Sequence, residues 1–275
     1  MLKRFLLLLL FMVFLASCSS TAVSMPSSSS FKQSSQSLKE VPLDFIPENY
    51  TVVSIGDSLT AGVGDSTKRG GYIPYLKEIL EMEKGVKNAE FYNFGVSGSK
   101  TGEILQRIKK EEVKENLEKA NMVIITTGGN DIMKVVKENL FGLNINDFSK
   151  DKEAYEKNLS LLLEEIRSVN SAAPVVLVGV YNPFYQYFAD IREIEEVLQM
   201  WNDASKSVLD NFEGTFFVPI DQLFKLEGEN ILHVDYFHPN DRGYKLIANE
   251  IFQTIHGRGL NLLYAAGKKE ISFNE

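Results

Sequence analysis

Four short blocks in this chain place reactive side chains beside glycines. They are Gly56-Asp57-Ser58-Leu59, Gly95 after Asn93-Phe94, Gly128-Gly129-Asn130-Asp131, and Asp235-Tyr236-Phe237-His238-Pro239. A serine hydroxyl is a weak nucleophile until a base takes its proton, and that base needs a third group to hold its tautomer. Asp235 and His238, three residues apart before a helical segment, supply such a pair for Ser58. The oxyanion formed on an attacked carbonyl needs preorganised donors. Gly95 lets a backbone N–H approach a ligand with no Cβ in the way. Asn130 offers a side-chain amide, and the Ser58 N–H is a third donor. The chemistry that fits this set is acyl transfer through a serine.

These blocks need a frame. Tyr50–Ile55 is a short β-branched run stopped by Gly56, read as a buried strand. Further strands are expected at 90–94, 122–126, 175–180 and 215–220. Between them lie helical stripes over 71–83, 101–119, 152–169 and 191–212, with a last helix over 243–256. Strands alternating with helices imply parallel pairing, right-handed crossovers and helices on both faces. In such open sheets ligands bind at the carboxyl ends of the strands, and the first three blocks fall there.

Taken together, the blocks resemble the SGNH/GDSL hydrolase family, named for Ser, Gly, Asn and His in separate blocks. The likeness covers about residues 50–255 and keeps the family's block order. It implies an α/β fold of flavodoxin-like type, a three-layer α/β/α sandwich around a five-stranded parallel sheet. It implies metal-free hydrolysis of carboxylic esters or thioesters through an acyl-enzyme, in the manner of an esterase, lipase or lysophospholipase. Catalytic residues are then Ser58, Asp235 and His238, with Ser58, Gly95 and Asn130 forming the oxyanion hole. Asp57 takes a structural role. No cofactor is implied, and three histidines without a compact ligand cluster give no reason to expect zinc.

Each assignment has a plainer counterpart. Ser58 could cap the helix after the first strand, Gly95 could be a turn residue, and Asn130 an Asx-turn residue. Among the other histidines, His233 lacks the Asp and Pro context of His238, and His256 lies at a helix end. Asp221, after a strand, is the alternative acid. The aromatic stretch Tyr181–Phe188 is either a packed loop or the wall or lid of an acyl pocket. Trp201 is expected in the core, and the charges of 109–119 on a solvated helix face.

Residues 1–17 read as a lipoprotein signal peptide: Lys3 and Arg4, then eleven apolar residues from Phe5 to Leu15. Leu15-Ala16-Ser17-Cys18 resembles a bacterial lipobox, which makes Cys18 the lipidation site. The Ser-rich segment 18–40 is then a tether, 41–257 the hydrolase domain, and 258–275 an unassigned tail. The expected location is extracytoplasmic, anchored to the cell membrane. Removing 1–17 takes 29 basic residues to 27 against 37 acidic ones, moving the formal net charge from −8 to −10. That balance excludes nucleic acid as a partner. The expected partners are a small acyl ester, or an acylated lipid or glycan, and the membrane. Two other functions fit the same sequence: deacetylation of a cell-envelope polysaccharide, and a non-catalytic binding lipoprotein on the same fold.

Overall fold

The computed structural model describes residues 46–139, 144–185 and 192–271. The expectations for residues 1–45 (signal peptide, lipidated Cys18, tether) and for Gln186, Tyr187 and Phe188 lie outside the described residues. Five strands form one parallel sheet in the order β2-β1-β3-β4-β5. They are β1 Glu48–Gly56, β2 Val86–Gly95, β3 Met122–Thr126, β4 Val175–Val178 and β5 Thr215–Val218. Neighbouring ends are level: Gly56 pairs with Gly95 on one side and Thr126 on the other. This order reverses direction between β1 and β3, so a cleft opens between their carboxyl ends.

The strands are apolar on both faces because helices cover both. Val53, Ile55, Val123, Ile125, Val175 and Leu177 point into one core, and Val52, Met122, Ile124, Val176 and Val178 into the other. The first core is closed by α3 Thr101–Ile108, α4 Glu111–Glu118, α5 Gly129–Glu138, α6 Asp147–Val169 and α7 Arg192–Leu209. The second is closed by α2 Ile73–Glu81, α8 Asp221–Glu227, α9 Asp241–Ile255 and α10 Arg258–Ile271. A single turn, α1 Ser58–Ala61, follows β1 directly. The three-layer architecture and the five parallel strands match the sequence reading. Trp201 is fully buried in the first core, where its ring meets Phe148 and Tyr155.

One expectation is corrected. The stripe over 101–119 is two helices, α3 and α4, broken at Lys110, whose ψ is 139°. Ile104 and Val113 are nine residues apart, which on one straight helix of 3.6 residues per turn puts them about 180° apart. The break re-phases the chain so that Ile104, Ile108, Val113 and Leu117 all enter the same core. The segment left unassigned after residue 257 forms helix α10 over Arg258–Ile271 and joins the fold. Helix α10 buries Leu260 and Leu263, and the Tyr264 ring lies 5.9 Å from that of Tyr50 on β1. Among the described residues, no helix is long and apolar enough to cross a membrane.

Candidate active site

Strand β1 ends in a sharp turn that delivers Ser58 to the cleft. Asp57, not Ser58, caps that turn: its Oδ1 accepts from the Leu59 N–H at 3.0 Å. The same oxygen accepts the Thr126 hydroxyl at 2.8 Å, and Thr126 Oγ1 also meets Thr60 Oγ1 at 2.9 Å. Burial pushes the Asp57 carboxyl above the ordinary carboxylate value, against those donors. Asp57 thus ties the turn that carries Ser58 to the end of β3. As first residue of α1, Ser58 leaves its N–H without an intrahelical acceptor.

The histidine arrives on the tight loop between α8 and α9. Asp235 Oδ1 accepts the Phe237 and His238 amides, each at 3.0 Å, and Oδ2 lies 2.7 Å from His238 Nδ1. Within the turn closed by the His233 N–H on the His238 carbonyl at 2.7 Å, Tyr236 adopts φ +54°, a conformation disfavoured for residues with a Cβ. Partial burial opposes ionisation of Asp235, but the imidazole and the two amides outweigh it and hold the carboxyl below its ordinary value. With Asp235 ionised, Nδ1 carries the imidazole proton and Nε2 is left as the basic nitrogen. Tyr181 secures the loop from the β4 side: its OH donates to the Phe237 carbonyl at 2.7 Å, while its ring stacks on Phe224 at 3.6 Å.

Helix α5 starts at the end of β3 from Gly128, whose φ is +104°, and its first turn carries Asn130. One hydrogen of the Asn130 amide goes to the Ser99 carbonyl at 3.0 Å, leaving the other for a ligand. Asp131 binds the same neighbouring loop, accepting the Thr101 amide and hydroxyl at 3.1 and 2.9 Å. Burial pushes the Asp131 carboxyl up despite those two donors.

Gly95 is placed differently from Ser58, Asn130 and His238. Its N–H donates to Asn93 Oδ1 at 2.9 Å, and it does not line the cleft cavity. Glycine is required there by packing: a Cβ would lie 2.2 Å from the Ala61 amide nitrogen. Asn93 completes the clamp by donating its amide to the Thr60 carbonyl at 2.8 Å.

Ser58, Asn130 and His238 share the wall of one cavity of about 220 Å³. Beyond them the wall is apolar, formed by Ile132 and Val136 of α5, Phe148 of α6, Val180 after β4, and Ile194 and Leu198 of α7. Pro183 and Phe184 of the aromatic stretch also face it, whereas His233 is absent from its lining, as are both Asp235 and Asp221. His233 instead donates its backbone N–H to the His238 carbonyl, and His256 lies just past the end of α9. The arrangement presents a hydroxyl, a carboxylate-oriented imidazole and two amide donors to one apolar space. Among the described residues no group of three or more His, Cys, Asp or Glu side chains is arranged to hold a metal ion.

Sequence reasoning passed over Arg107. Its guanidinium donates to the Gly56 carbonyl at 2.9 Å and the Phe94 carbonyl at 3.2 Å, and it also bonds the Ser99 hydroxyl. It therefore joins the strand ends that carry Ser58 and Gly95 to the loop that anchors Asn130. No spacing signal marks it, because it lies on α3 and two of its three acceptors are backbone carbonyls on β1 and β2.

Comparison with known proteins places the chain in a family. The model of the GDSL-like Lipase/Acylhydrolase family matches residues 54–246. The uncharacterized protein YpmR of Bacillus subtilis (strain 168) is 34% identical over 215 residues, 78% of this chain and 84% of that protein. The spore germination lipase LipC of Bacillus licheniformis is 26% identical over 219 residues, 74% of this chain and 96% of that protein. The crystal structure of the lipase Lip_vut3, from a goat rumen metagenome, has a TM-score of 0.69 at 26% identity, covering 76% of this chain and 99% of that one. The chain belongs to the GDSL-like lipase/acylhydrolase family, and it is an esterase or lipase of the GDSL type.

Proposed function

We propose that the protein hydrolyses carboxylic esters by covalent catalysis at Ser58. The observation that carries this reading is the Asp235–His238 contact of 2.7 Å, with His238, Ser58 and Asn130 in the wall of one cavity. Ser58 Oγ attacks the ester carbonyl while His238 Nε2 takes its proton. The negative charge that develops on the carbonyl oxygen meets the Ser58 N–H, the free hydrogen of the Asn130 amide and the positive end of α5. His238 then returns the proton to the departing alcohol oxygen, leaving the acyl group on Ser58. Water enters, gives a proton to His238 and attacks the acyl carbon, and the acid leaves as Ser58 is reprotonated. Gly95 joins as a third donor only if its N–H exchanges Asn93 Oδ1 for the substrate. The same proposal holds the enzyme outside the membrane through Cys18; its support is the segment Leu15-Ala16-Ser17-Cys18.

The test is turnover of p-nitrophenyl butyrate by the wild type and by Ser58→Ala, with fluorophosphonate labelling of both. The substitution is expected to lower kcat by at least about 10³-fold and to abolish labelling. A Ser58→Ala rate within tenfold of the wild type overturns the assignment. An unlabelled, inactive wild type returns the chain to the binding-protein reading.

A further inference from the structure

We infer that the enzyme selects acyl groups of about six to nine carbons, and that acetyl esters are poor substrates. The inference rests on Ser58 being the acylated residue. Its ground is the volume and lining of the cavity that Ser58 shares.

The polar end of that cavity is where three of the four blocks meet, at Ser58, Asn130 and His238. Away from it, Ile132 and Val136 stand one turn apart on the same side of α5. Phe148, Val180, Ile194 and Leu198 face them from α6, the end of β4 and α7. The other polar residues of the lining are few and partly engaged. The Asn182 side chain is buried with its carbonyl oxygen accepting the Phe184 amide at 2.9 Å, Asn144 Oδ1 accepts the Asn146 amide at 2.9 Å, the Thr127 hydroxyl lies 2.7 Å from that of Thr101, and Glu193 is exposed. An apolar void stays dry and takes apolar guests: one of ~150 Å³ accommodates a benzene ring. In proportion, the 220 Å³ here holds about nine carbons. An acetyl methyl leaves most of that surface without contacts, whereas an octanoyl chain covers it. An acetylated glycan would use only the polar end.

Burial of each methylene contributes about fourfold in kcat/KM, ~0.8 kcal/mol. Six methylenes separate acetyl from octanoyl, so complete burial sets an upper bound of about 4,000-fold, and partial solvation of the chain near the mouth lowers it. The expected rise from acetyl to octanoyl is at least about 100-fold, with no further gain beyond about ten carbons once the void is full.

The experiment is kcat/KM for p-nitrophenyl acetate, butyrate, hexanoate, octanoate, decanoate and palmitate below their aggregation limits. It is run on the full chain, with Ser58→Ala as background and Val136→Trp as a second variant. The indole in place of Val136 shortens the space, so the octanoate-to-butyrate ratio is expected to fall at least tenfold. If that variant does not fold, the wild-type series decides alone. A rise to an optimum between hexanoate and decanoate, with the variant's optimum shifted to shorter chains, upholds the inference. Serine-dependent turnover that is flat or falls from acetate onwards overturns it and leaves the Ser58 assignment standing. A folded Val136→Trp protein with an unchanged length profile overturns the location of the acyl chain. Release that does not depend on Ser58 for any ester overturns the Ser58 assignment, and the inference with it.

Discussion

Replacing Asp235 by Asn separates the orienting role of this carboxylate from the shape of its loop. Asp235 uses its oxygens differently: Oδ1 takes two backbone amides at 3.0 Å, and Oδ2 faces His238 Nδ1 at 2.7 Å. An asparagine has one acceptor oxygen and one NH2 group. With the NH2 turned towards the two amides, both backbone hydrogen bonds are lost, at roughly 1 kcal/mol each. The favoured rotamer therefore keeps the oxygen on the amides and points NH2 at the imidazole. Nδ1 must then accept, so the ring proton moves to Nε2, the nitrogen that has to take the Ser58 proton. A serine-triad imidazole fixed in the wrong tautomer loses about 10⁴ in kcat, which corresponds to about 5.4 kcal/mol of activation free energy. The assay is kcat for p-nitrophenyl butyrate at neutral pH, with circular dichroism and a urea titration on the same samples. The acid limb of stability offers a second check. The folded-state pKa of Asp235 is lowered, so its contribution is present above the ordinary carboxylate pKa and is lost as pH falls through that value and below. Asp235→Asn has no such group to protonate and should show a shallower acid loss of stability. A folded Asp235→Asn protein within tenfold of wild-type kcat refutes the reasoning, because something other than Asp235 would then orient His238.

Two further outcomes follow from the framework around the site. Arg107→Met keeps the apolar stem but removes the donors to the Gly56 and Phe94 carbonyls; kcat should fall about tenfold to 100-fold with KM little changed, and equal loss of stability with intact kcat would mark Arg107 as structural only. Leu263→Ala, on a fully buried residue of α10, should destabilise by about 2–5 kcal/mol in urea denaturation, whereas a change below about 1 kcal/mol would detach the tail from the cooperative domain.

The fold was readable because both determinants of a parallel α/β sheet are local patterns. The β-branched run ending in Gly56, the aromatic-rich run ending in Gly95 and the stripe of 152–169 carry their period in neighbouring residues. The reading failed where period and direction part company. At 101–119 the spacing looked helical throughout, yet the two halves face one core only after the break at Lys110. Helix α10 went unassigned because Leu260, Leu263 and Tyr264 gain meaning only against Tyr50, more than two hundred residues earlier.

The site divides along the same line. Asp235 and His238 are paired by three residues of chain, so the sequence by itself determined that contact and its partners on the loop. The order of the blocks at strand ends likewise determined which side chains could converge, since parallel strands carry all their carboxyl ends to one edge. The tertiary structure alone decided the rest. It turned the Gly95 N–H to Asn93 Oδ1 and set the glycine against the Ala61 backbone. It brought Arg107 onto carbonyls 51 and 13 residues away. It also opened an apolar cavity between α5, α6 and α7 beside Ser58. Such features depend on distances between segments remote in sequence, and those distances are set by the packing of helices on the sheet rather than by any local spacing.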